Sequence, residues 1–573
     1  MPKTIVRRQS ACAGERLPVE LHPVLRRIYA GRGVEDAREL NLGLEALLPV
    51  DLMTGAREAA QLLARHMEEQ KRILIIGDFD CDGATSTALS VLALRAMGAT
   101  HVDYLVPNRF EYGYGLTPEI VALAARDKPD LIVTVDNGVS SVEGVAAANA
   151  LGIPVIVTDH HLPGAQLPEA AVMVNPNLPD SAFPAKSTAG VGVIFYVLLA
   201  LRALLREKGW FDERKEPNMA DYLDLLALGT VADVVPLEHN NRILVHQGLA
   251  RIRAGRCRPG IAALLELAGR PQHRVQASDL GFAVGPRLNA AGRLDDMSTG
   301  IECLLTDDPL RARQLAVELD TLNRERRAIE DEMRGQAEDM LAGLQMEETE
   351  LPLGLCLYDD SWHQGVIGIL ASRIKDRHHR PVIAFAPGEE GQIKGSARSI
   401  PGVHIRDVLD EVNVRHPGLV PRFGGHAMAA GLTLEADRFI AFQQAFNEAL
   451  ENRMDETDLH PVIESDGEIA SRDMHMELAA LLAEAGPWGQ GFPEPLFHGE
   501  FAVIQQRLLK ERHWKLVVQP DGGDQVVDAI GFNLADEFPA PLPERVILAY
   551  QLDINEFQGN ASLQLRIVHM EAA

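Results

Sequence analysis

The sequence has few cysteines and no long apolar run. Its cysteines are odd in number, widely scattered and never spaced as C-x-x-C, which argues against a disulfide framework and against a zinc knuckle. They are Cys12, Cys81, Cys257, Cys303 and Cys356. The longest apolar run, at 191–201, is too short to span a bilayer, and the N-terminal residues lack the apolar segment of a secretory signal. We therefore expect a cytoplasmic protein without a membrane segment.

Positive charge is also scarce. The chain carries 55 Lys and Arg against 82 Asp and Glu, which gives a net charge of −27. This balance argues against a broadly basic surface that wraps nucleic acid. It does not exclude nucleic acid as a substrate, because bound divalent cations and a local basic groove can hold a polyanion on an acidic protein.

The chain is too long for a single hydrophobic core. At roughly 100–200 residues per domain, its 573 residues predict three or four units. We predict a polar lead-in with short helices over 1–50, an α/β domain over 51–305, a long connecting helix over 306–350, a second α/β domain over 351–455 and a strand-rich domain over 460–573.

The fold class follows from the pattern of apolar segments. Short apolar strands alternate with helical stretches from Lys71 onwards, which is typical of a parallel sheet covered on both faces. Residues 307–345 combine dense Arg and Glu with helical spacing of apolar residues, which predicts a long helix between two domains. Several short strands separated by turn residues near the C-terminus predict a small barrel such as an OB-fold.

Acidic residues and histidines follow three of the predicted parallel strands and one further segment. They are Asp78, Asp80 and Asp82 in or after the first predicted strand, which begins at 72, Asp136 in the third, which begins at 131, Asp159, His160 and His161 in the fourth, which begins at 155, and Asp233 in the segment 225–237. The carboxyl ends of parallel strands line one crevice, so we expect these side chains to converge. Each aspartate alone has an ordinary alternative as a turn or helix-capping residue, but four segments share the pattern.

A cluster of carboxylates and imidazoles at one sheet edge favours the binding of divalent cations. Carboxylates gathered at a sheet edge repel each other and lose water, so they persist only if cations neutralise them or some of them bind a proton. Oxygen ligands with one or two imidazoles suit Mn²⁺ or Mg²⁺. Two such ions about 3.5–4 Å apart would polarise a phosphoryl oxygen and activate water, which is machinery for cleaving phosphate esters.

The four segments together resemble the motifs of the DHH phosphoesterase superfamily. They read GDFDCDGATSTAL, VDNG, TDHH and ALGTVADVVPL. Later segments resemble the RecJ branch of that superfamily, its DHHA1 domain and its OB domain. These are GPRLNAAGR, SWHQGVIGILASR, KGSARSI, FGGHAMAAG and GPWGQGFPEPLF. The resemblance extends from about residue 50 to the C-terminus and implies a DHH domain, a DHHA1 domain and an OB-fold.

The resemblance implies roles for the clustered residues. Asp80 and Asp82 would each ligate one metal ion, and Asp136 would bridge both ions. His160 and Asp233 would complete the second site. His161 would lie beside the scissile phosphate, either as a metal ligand or as a proton-bearing group that stabilises the phosphate. Asp78 would be a further metal ligand, and Asp159 would orient a histidine.

Other residues are predicted to hold the DNA strand. Arginine reads a 5′-phosphate through its fork of donors, and Arg287, Arg293 and Arg398 are predicted in glycine-flanked loops. By resemblance, Ser396 joins Arg287 and Arg398 in the 5′-phosphate pocket, while His426 faces the cleft. Alternatively these arginines pair with acids, and His426 packs in a glycine-rich turn.

The predicted barrel offers one basic cluster with an aromatic residue, KERHWK at 510–515. In this interpretation Trp514 stacks on a base while Lys510, Arg512 and Lys515 contact phosphates. The alternative for Trp514 is a place in the core of the barrel.

The clustered acids and histidines predict a metal-dependent phosphodiesterase, and the resemblance implies an exonuclease that degrades single-stranded DNA from its 5′ end to 5′-mononucleotides, in recombination and repair. The resemblance also implies a helicase and a single-strand-binding protein as partners. One alternative is a related enzyme acting on short oligoribonucleotides or small phosphate esters. The C-terminal extension argues against it, because a small substrate needs no such channel. The other alternative is a replication scaffold that keeps the fold without catalysis, which the intact acids and histidines oppose.

Overall fold

The protein is described here by a computed structural model. It describes residues 3–10, 14–108, 115–347, 351–389, 391–454, 459–535, 537–557 and 560–573. Cys12 and residues 348–350 of the predicted long helix lie outside these ranges. The chain forms two compact units. The larger unit comprises residues 7–323 and 464–573, and the smaller unit comprises residues 324–463 with the described residues before Arg7.

A five-stranded parallel sheet forms the centre of the larger unit. Its spatial order is β3-β2-β4-β5-β6. The strands are β2 (Ile73–Gly77), β3 (Val102–Leu105), β4 (Leu131–Val135), β5 (Val155–Thr158) and β6 (Val172–Val174). Alternate residues of β2 enter different cores: Ile73 and Ile75 pack on one face, and Leu74 and Ile76 on the other. Burial of both faces explains why these strands are continuously apolar.

Helices cover both faces of this sheet. The helices of this part of the larger unit are α1 (Pro23–Gly31), α2 (Ala56–Glu68), α3 (Cys81–Ala96), α4 (Pro118–Ala124), α5 (Val142–Ala150), α6 (Gly190–Glu207), α7 (Leu223–Ala232), α8 (His239–Arg253), α9 (Pro259–Leu267), α10 (Gly285–Leu294) and α11 (Ser298–Leu305). A helical turn at Ala277–Asp279 and a π-helical turn at Leu280–Val284 precede α10 directly. Within the described residues, no helix is both long enough and apolar enough to cross a lipid bilayer.

The predicted long helix is present as α12 (Pro309–Glu347), which has 39 residues. It begins after Asp308, whose carboxylate accepts the backbone N–H of Leu310 at 2.9 Å and so satisfies one of the unpaired donors of the first turn. The division between the two units falls inside this helix, after Asn323.

The smaller unit contains a mixed five-stranded sheet in the order β10-β11-β9-β8-β7. Its strands are β7 (Leu355–Tyr358), β8 (Val382–Pro387), β9 (Gln392–Arg398), β10 (Arg422–Gly425) and β11 (Ala429–Glu435), and only β7 and β8 run parallel. The helices α13 (Ile367–His378), α14 (Ile405–Arg415) and α15 (Phe439–Glu451) accompany it. Two apolar clusters, one on each face, form its core.

The C-terminal strands close into a barrel of order β13-β14-β15-β17-β16. They are β13 (Phe497–Leu509), β14 (His513–Pro520), β15 (Val527–Gly531), β16 (Arg545–Phe557) and β17 (Asn560–Ala572), with α16 (Met476–Glu484) packed on β16. The strands β1 (Thr4–Arg7) and β12 (Val462–Ser465) form a separate two-stranded sheet. The predicted fold class, two α/β domains joined by a long helix and followed by an OB-like barrel, is confirmed.

The lead-in is packed against the C-terminal part of the larger unit. Arg32 and Asp466 form a buried, bidentate ion pair with N–O distances of 2.8 and 3.0 Å. The hydroxyl of Tyr29 donates to the backbone carbonyl of Ala485 at 2.9 Å. The barrel and the first 323 residues therefore share one compact unit.

Candidate active site

Seven predicted metal ligands lie together at the carboxyl edge of the parallel sheet. The segments that follow β2, β4 and β5 supply six of them, among them Asp82 in the first turn of α3, and the C-terminal end of α7 supplies the seventh. Their ligand atoms form three overlapping groups, each within 4.8 Å: Asp136, His160 and His161; Asp82, His160 and Asp233; Asp78, Asp80 and Asp136. The convergence expected from parallel-sheet geometry is therefore present in the structure.

The first loop is held by backbone hydrogen bonds. Asp80 caps α3 and accepts the N–H of Gly83 at 3.0 Å. Asp82, in the first turn of the same helix, is 1% exposed and accepts the N–H groups of Gly190 and Val191 at 2.6 and 3.0 Å. These donors belong to the first turn of α6, where unpaired N–H groups and the helix dipole favour a carboxylate.

Two residues of the cluster region other than glycine have a left-handed backbone. Asp136 has φ +61°, and Val234, which directly follows Asp233, also has φ +61°. This conformation is uncommon for aspartate and unfavourable for a β-branched valine, so the surrounding structure must enforce it. The N–H of Asp136 donates to the carbonyl of Thr158 at 3.0 Å, which ties the turn after β4 to β5. Backbone strain of this kind concentrates at functional sites.

His160 lies between two carboxylates. Its Nε2 is 3.1 Å from Oδ1 of Asp136 and 3.4 Å from Oδ2 of Asp233. This buried nitrogen makes no well-oriented hydrogen bond within the described part of the chain. Nε2 of His160 thus lies close to two carboxylate oxygens without a hydrogen bond to either. Such an arrangement fits three ligand atoms placed around one cation.

Asp159 orients the neighbouring histidines. Its carboxylate accepts the backbone N–H groups of Val139, His160 and His161 at 2.9, 2.7 and 3.1 Å. It also bonds Nδ1 of His161 at 2.7 Å. Such a hydrogen bond to a ring nitrogen fixes the tautomer and the direction of the imidazole.

The carboxylates of the cluster are difficult to ionise together. Burial, and next the charge of Asp80, raise the pKa of Asp82 to about 7. Burial, and next the charge of Asp82, raise the pKa values of Asp136 and Asp233 well above the ordinary range. A divalent cation would remove this repulsion. The donor set of carboxylate oxygens and imidazole nitrogens therefore fits Mn²⁺ or Mg²⁺.

The two adjacent histidines have opposite pKa shifts. Burial, and next the charge of His161, lower the pKa of His160 to about 4, so its imidazole is neutral at pH 7. Burial alone would lower the pKa of His161, but the hydrogen bond and charge of Asp159 outweigh it and raise the pKa to about 9. His160 is therefore in the form that can ligate a metal, while His161 carries a proton.

Comparison with known families agrees with this geometry. Three family models match the chain: the DHH family, N-terminal domain, over residues 72–230, the DHHA1 domain over 352–452, and the RecJ OB domain over 465–569. A relative from Salmonella typhimurium, "Single-stranded-DNA-specific exonuclease RecJ", is 56% identical over 98% of both chains. The protein of the same name from Escherichia coli is also 56% identical over 98% of both chains. This chain belongs to the RecJ family.

Solved RecJ structures extend the comparison to three dimensions. RecJ from Thermus thermophilus in complex with Mn²⁺ matches with a TM-score of 0.82 and 31% identity, covering 100% of this chain and 79% of that one. The complex of RecJ from the same organism with Mg²⁺ matches with a TM-score of 0.76 and 30% identity, covering 100% and 78%. The RecJ architecture therefore applies to the whole chain.

The arginines of the RecJ-type segment 285–293 lie on a helix, and the prediction of a loop was wrong. Both Arg287 and Arg293 belong to α10. Arg287 is 8% exposed, and its Nε and Nη2 each lie 2.9 Å from Oδ1 of Asp320. Its Nη1 donates to the carbonyl of Ala283 at 2.6 Å. The alternative expectation of an ion pair is therefore present for Arg287, while Arg293 is half-buried in the last turn of α10.

The other predicted phosphate-binding residues lie in the smaller unit. Ser396 and Arg398 are on β9, where a loop was wrongly predicted for Arg398, and Nη1 of Arg398 donates to Oγ of Ser396 at 3.1 Å. Burial lowers the pKa of Arg398 from its ordinary value. His426 lies in the turn between β10 and β11, and its N–H donates to the carbonyl of Ala429, the residue paired with Arg398. One pocket that unites these residues with Arg287 stays a prediction.

Trp514 is a core residue of the barrel, and the interpretation that it stacks on a base was wrong. It lies on β14, where residues alternate between the interior and the surface, and it is 1% exposed. Its indole N–H donates to the carbonyl of Phe538 at 2.9 Å. Lys515, from the same basic cluster, pairs with Asp528 at 2.9 Å. A ring without an exposed face has no surface for a base.

The sequence did not reveal several residues that hold the site. The amide oxygen of Asn289 accepts the N–H of Cys81, between Asp80 and Asp82, at 2.7 Å. Asn289 lies within a RecJ-type segment, but nothing in its spacing indicates a partner 208 residues away. Gly190 and Val191 hold Asp82 through their backbone N–H groups, so their side chains give no indication of this role in the sequence. Only the start of an apolar helix at that point could have suggested them.

Proposed function

We propose that this protein is a metal-dependent exonuclease that degrades single-stranded DNA from the 5′ end and releases 5′-mononucleotides. The observation that carries the proposal is the convergence of seven acids and histidines on one sheet edge, in a chain of the RecJ family. The names of its relatives support the choice of single-stranded DNA, and the named complexes of the Thermus thermophilus relative support Mn²⁺ or Mg²⁺ as the cofactor.

The donor geometry supports a division of labour between two cation sites. We assign Asp80 and Asp82 as ligands of one cation each and Asp136 as the ligand that bridges both cations. His160 and Asp233 complete the second cation site. Asp78 is an additional ligand at the first cation site. The position of Asp136 within reach of both neighbouring groups supports its bridging role. When bound, two divalent cations would polarise the phosphoryl oxygens and lower the pKa of a water molecule.

The chain's own residues supply orientation and one proton. Asp159 holds Nδ1 of His161, and the raised pKa of His161 keeps the imidazole charged at neutral pH. A charged imidazole beside the scissile phosphate would stabilise the negative charge that develops on its oxygens. His160, which has a lowered pKa, stays neutral and offers its buried Nε2 as a ligand atom.

Recognition of the 5′ end is assigned to cationic residues outside the cluster. We assign Arg287, Ser396 and Arg398 to the 5′-phosphate and Arg293 and His426 to the DNA backbone. The hydrogen bond between Arg398 and Ser396 supports a joint role, because it places a guanidinium and a hydroxyl side by side. The support for Arg287 is weaker, because Asp320 and the carbonyl of Ala283 already accept its N–H groups.

The first test is substitution of the bridging residue. Asp136→Ala should lower the rate of nucleotide release from a 5′-labelled single strand by about 10³-fold or more, while binding of the strand is retained. The control is Asp180→Ala at an exposed turn of the same unit, which should leave the rate unchanged. Wild-type activity in Asp136→Ala would refute the assignment.

The second test uses metal and substrate length. Chelation should abolish nucleotide release, and Mn²⁺ added afterwards should restore it. Faster turnover of di- and trinucleotides than of long single strands would instead support the oligonucleotide-specific alternative. Absence of metal-dependent release from any strand would support the non-catalytic scaffold.

The cellular setting is a further part of this proposal. We assign the enzyme to the cytoplasm, where it would resect strands opened by a helicase and covered by a single-strand-binding protein during recombination and repair. This assignment is supported by family membership. Nucleotide release should therefore increase when a helicase that opens duplex DNA is added to the reaction.

A further inference from the structure

Helix α10 contacts the metal-binding loop, residues 78–82, at two places. At the first, Oδ1 of Asn289 accepts the N–H of Cys81 at 2.7 Å. At the second, the backbone of Gly292 lies so close to the loop that a Cβ atom there would be 1.8 Å from the carbonyl oxygen of Phe79. Asn289 and Gly292 are three residues apart, so both lie on one face of the helix.

These contacts act on peptide groups between the proposed ligands. Phe79 separates Asp78 from Asp80, and Cys81 separates Asp80 from Asp82. The N–H of Cys81 is also one of the first donors of α3, which have no partner within that helix. Asn289 therefore satisfies a donor that the helix itself leaves unpaired, at the centre of the loop that carries three carboxylates.

The close approach of Gly292 has a steric meaning. A contact below 3.0 Å requires something to move, and the atom in the way is a backbone oxygen rather than the end of a flexible side chain. A side chain at position 292 would displace either the loop or the helix. Glycine thus allows α10 to lie directly on the peptide group between Phe79 and Asp80.

We propose that Asn289 and Gly292 are positioning residues that hold the peptide groups of loop 78–82, and with them the proposed carboxylate ligands, in the geometry that binds divalent cations. The inference rests on the metal role proposed above for Asp80 and Asp82. It gives a function to the NAAG part of the RecJ-type segment, which Arg287 and Arg293 do not explain.

The test measures Mn²⁺ affinity by calorimetry on the full chain without DNA, so that the result does not depend on activity. The variants are Asn289→Ala, which removes the acceptor, Gly292→Ala, which adds the clashing methyl group, and Asn289→Asp, which keeps an oxygen acceptor of the same shape. Circular dichroism and the melting temperature of each metal-free variant establish that it is folded.

Two matched controls separate positioning from general destabilisation. Asn240 is also buried and accepts a distant backbone N–H, that of Leu48 at 3.1 Å, and the hydroxyl of Tyr196, both outside the loop. Asn240→Ala should lower the melting temperature without changing Mn²⁺ affinity. Gly335 is also helical, and a Cβ there would meet nothing within 4 Å. Gly335→Ala should leave Mn²⁺ affinity unchanged and raise the melting temperature slightly, because alanine is the better helix former.

We expect Asn289→Ala and Gly292→Ala to bind Mn²⁺ about 10- to 100-fold more weakly, as found for residues that orient metal ligands. Asn289→Asp keeps the acceptor and adds a carboxylate beside the cluster, so its Mn²⁺ affinity should not fall below that of the wild type. High Mn²⁺ should restore nucleotide release by Asn289→Ala. Wild-type Mn²⁺ affinity in Asn289→Ala and Gly292→Ala, with loss of binding in Asp82→Ala, would overturn this inference alone. Unchanged Mn²⁺ binding in Asp82→Ala would overturn the proposed metal site and, with it, this inference.

Discussion

Gly190 is the residue at which the packing of the active site can be tested most directly. It begins α6, and its N–H donates to Asp82. A Cβ atom at this position would lie 2.6 Å from Oδ1 of Asp136 and 2.7 Å from its Cβ. Since ordinary contacts begin at 3.4 Å, Gly190→Ala requires a displacement of about 0.8 Å of Asp136 or of the helix start.

The expected effect of Gly190→Ala is loss of activity without loss of the fold. A displacement of about 1 Å in an active site costs about 10²-fold in rate, so we expect a reduction of kcat of that order. Alanine is the better helix former by about 1 kcal/mol, which offsets part of the steric destabilisation. Gly229→Ala should act similarly from α7, because its Cβ would lie 2.3 Å from Oγ1 of Thr85 and 2.8 Å from Oδ1 of Asp82.

The assay is release of nucleotides from a 5′-phosphorylated single strand at saturating Mn²⁺, together with Mn²⁺ affinity and the melting temperature. The control is Gly164→Ala, three residues after His161, where the nearest atom to a new Cβ is 3.8 Å away. This control should have wild-type kcat. If Gly190→Ala and Gly229→Ala both keep kcat and Mn²⁺ affinity within about twofold of the wild type, the reasoning from steric contact with Asp136 and Asp82 is wrong.

Two further predictions concern the packing of the C-terminal part of the larger unit. Asp466→Ala should lower the free energy of unfolding by about 3–5 kcal/mol, because it leaves the buried guanidinium of Arg32 without its counter-charge. Urea denaturation measures this, and removal of both partners should cost less than the sum of the two single changes. Trp514→Ala should cost about 3–5 kcal/mol through the cavity that it leaves in the barrel, with Trp514→Phe much milder. An exposed, base-stacking tryptophan would instead show weaker DNA binding at unchanged stability.

The sequence predicted the parallel sheet and the residues at its carboxyl edge because both depend on local patterns. A strand buried on both faces reads as a short apolar run, as at Ile73–Gly77, and the residues after such runs share one edge of the sheet. This is why Asp136 and His160 could be assigned to one cluster before any distance was known. The left-handed backbone of Asp136 became apparent only in the structure, because the spacing of residues in the sequence does not indicate it.

The incorrect predictions involve residues whose role depends on distant partners. The glycines beside Arg287 and Arg293 indicated a loop, but both arginines stand within α10, and Pro286 occupies its first turn, where a missing N–H has no cost. Gly292 serves close packing against Phe79 rather than a turn. Trp514 was misread because a basic flank suggested DNA, whereas the alternation of β14 places the ring inside the barrel.

The discontinuous composition of the larger unit has a consequence for biosynthesis. Residues 7–323 and 464–573 complete one another, yet residues 324–463 are translated between them. During translation the guanidinium of Arg32 therefore lacks its ion-pair partner until Asp466 has been made. The N–H of Leu237 likewise lacks its acceptor until the carbonyl of Gln490 is present. A nascent chain that ends just after residue 463 already contains every acid of the cluster. It still lacks residues 464–573, which pack against the scaffold that carries the cluster. We therefore expect the scaffold around the cluster to reach full stability only after residues 464–573 have left the ribosome.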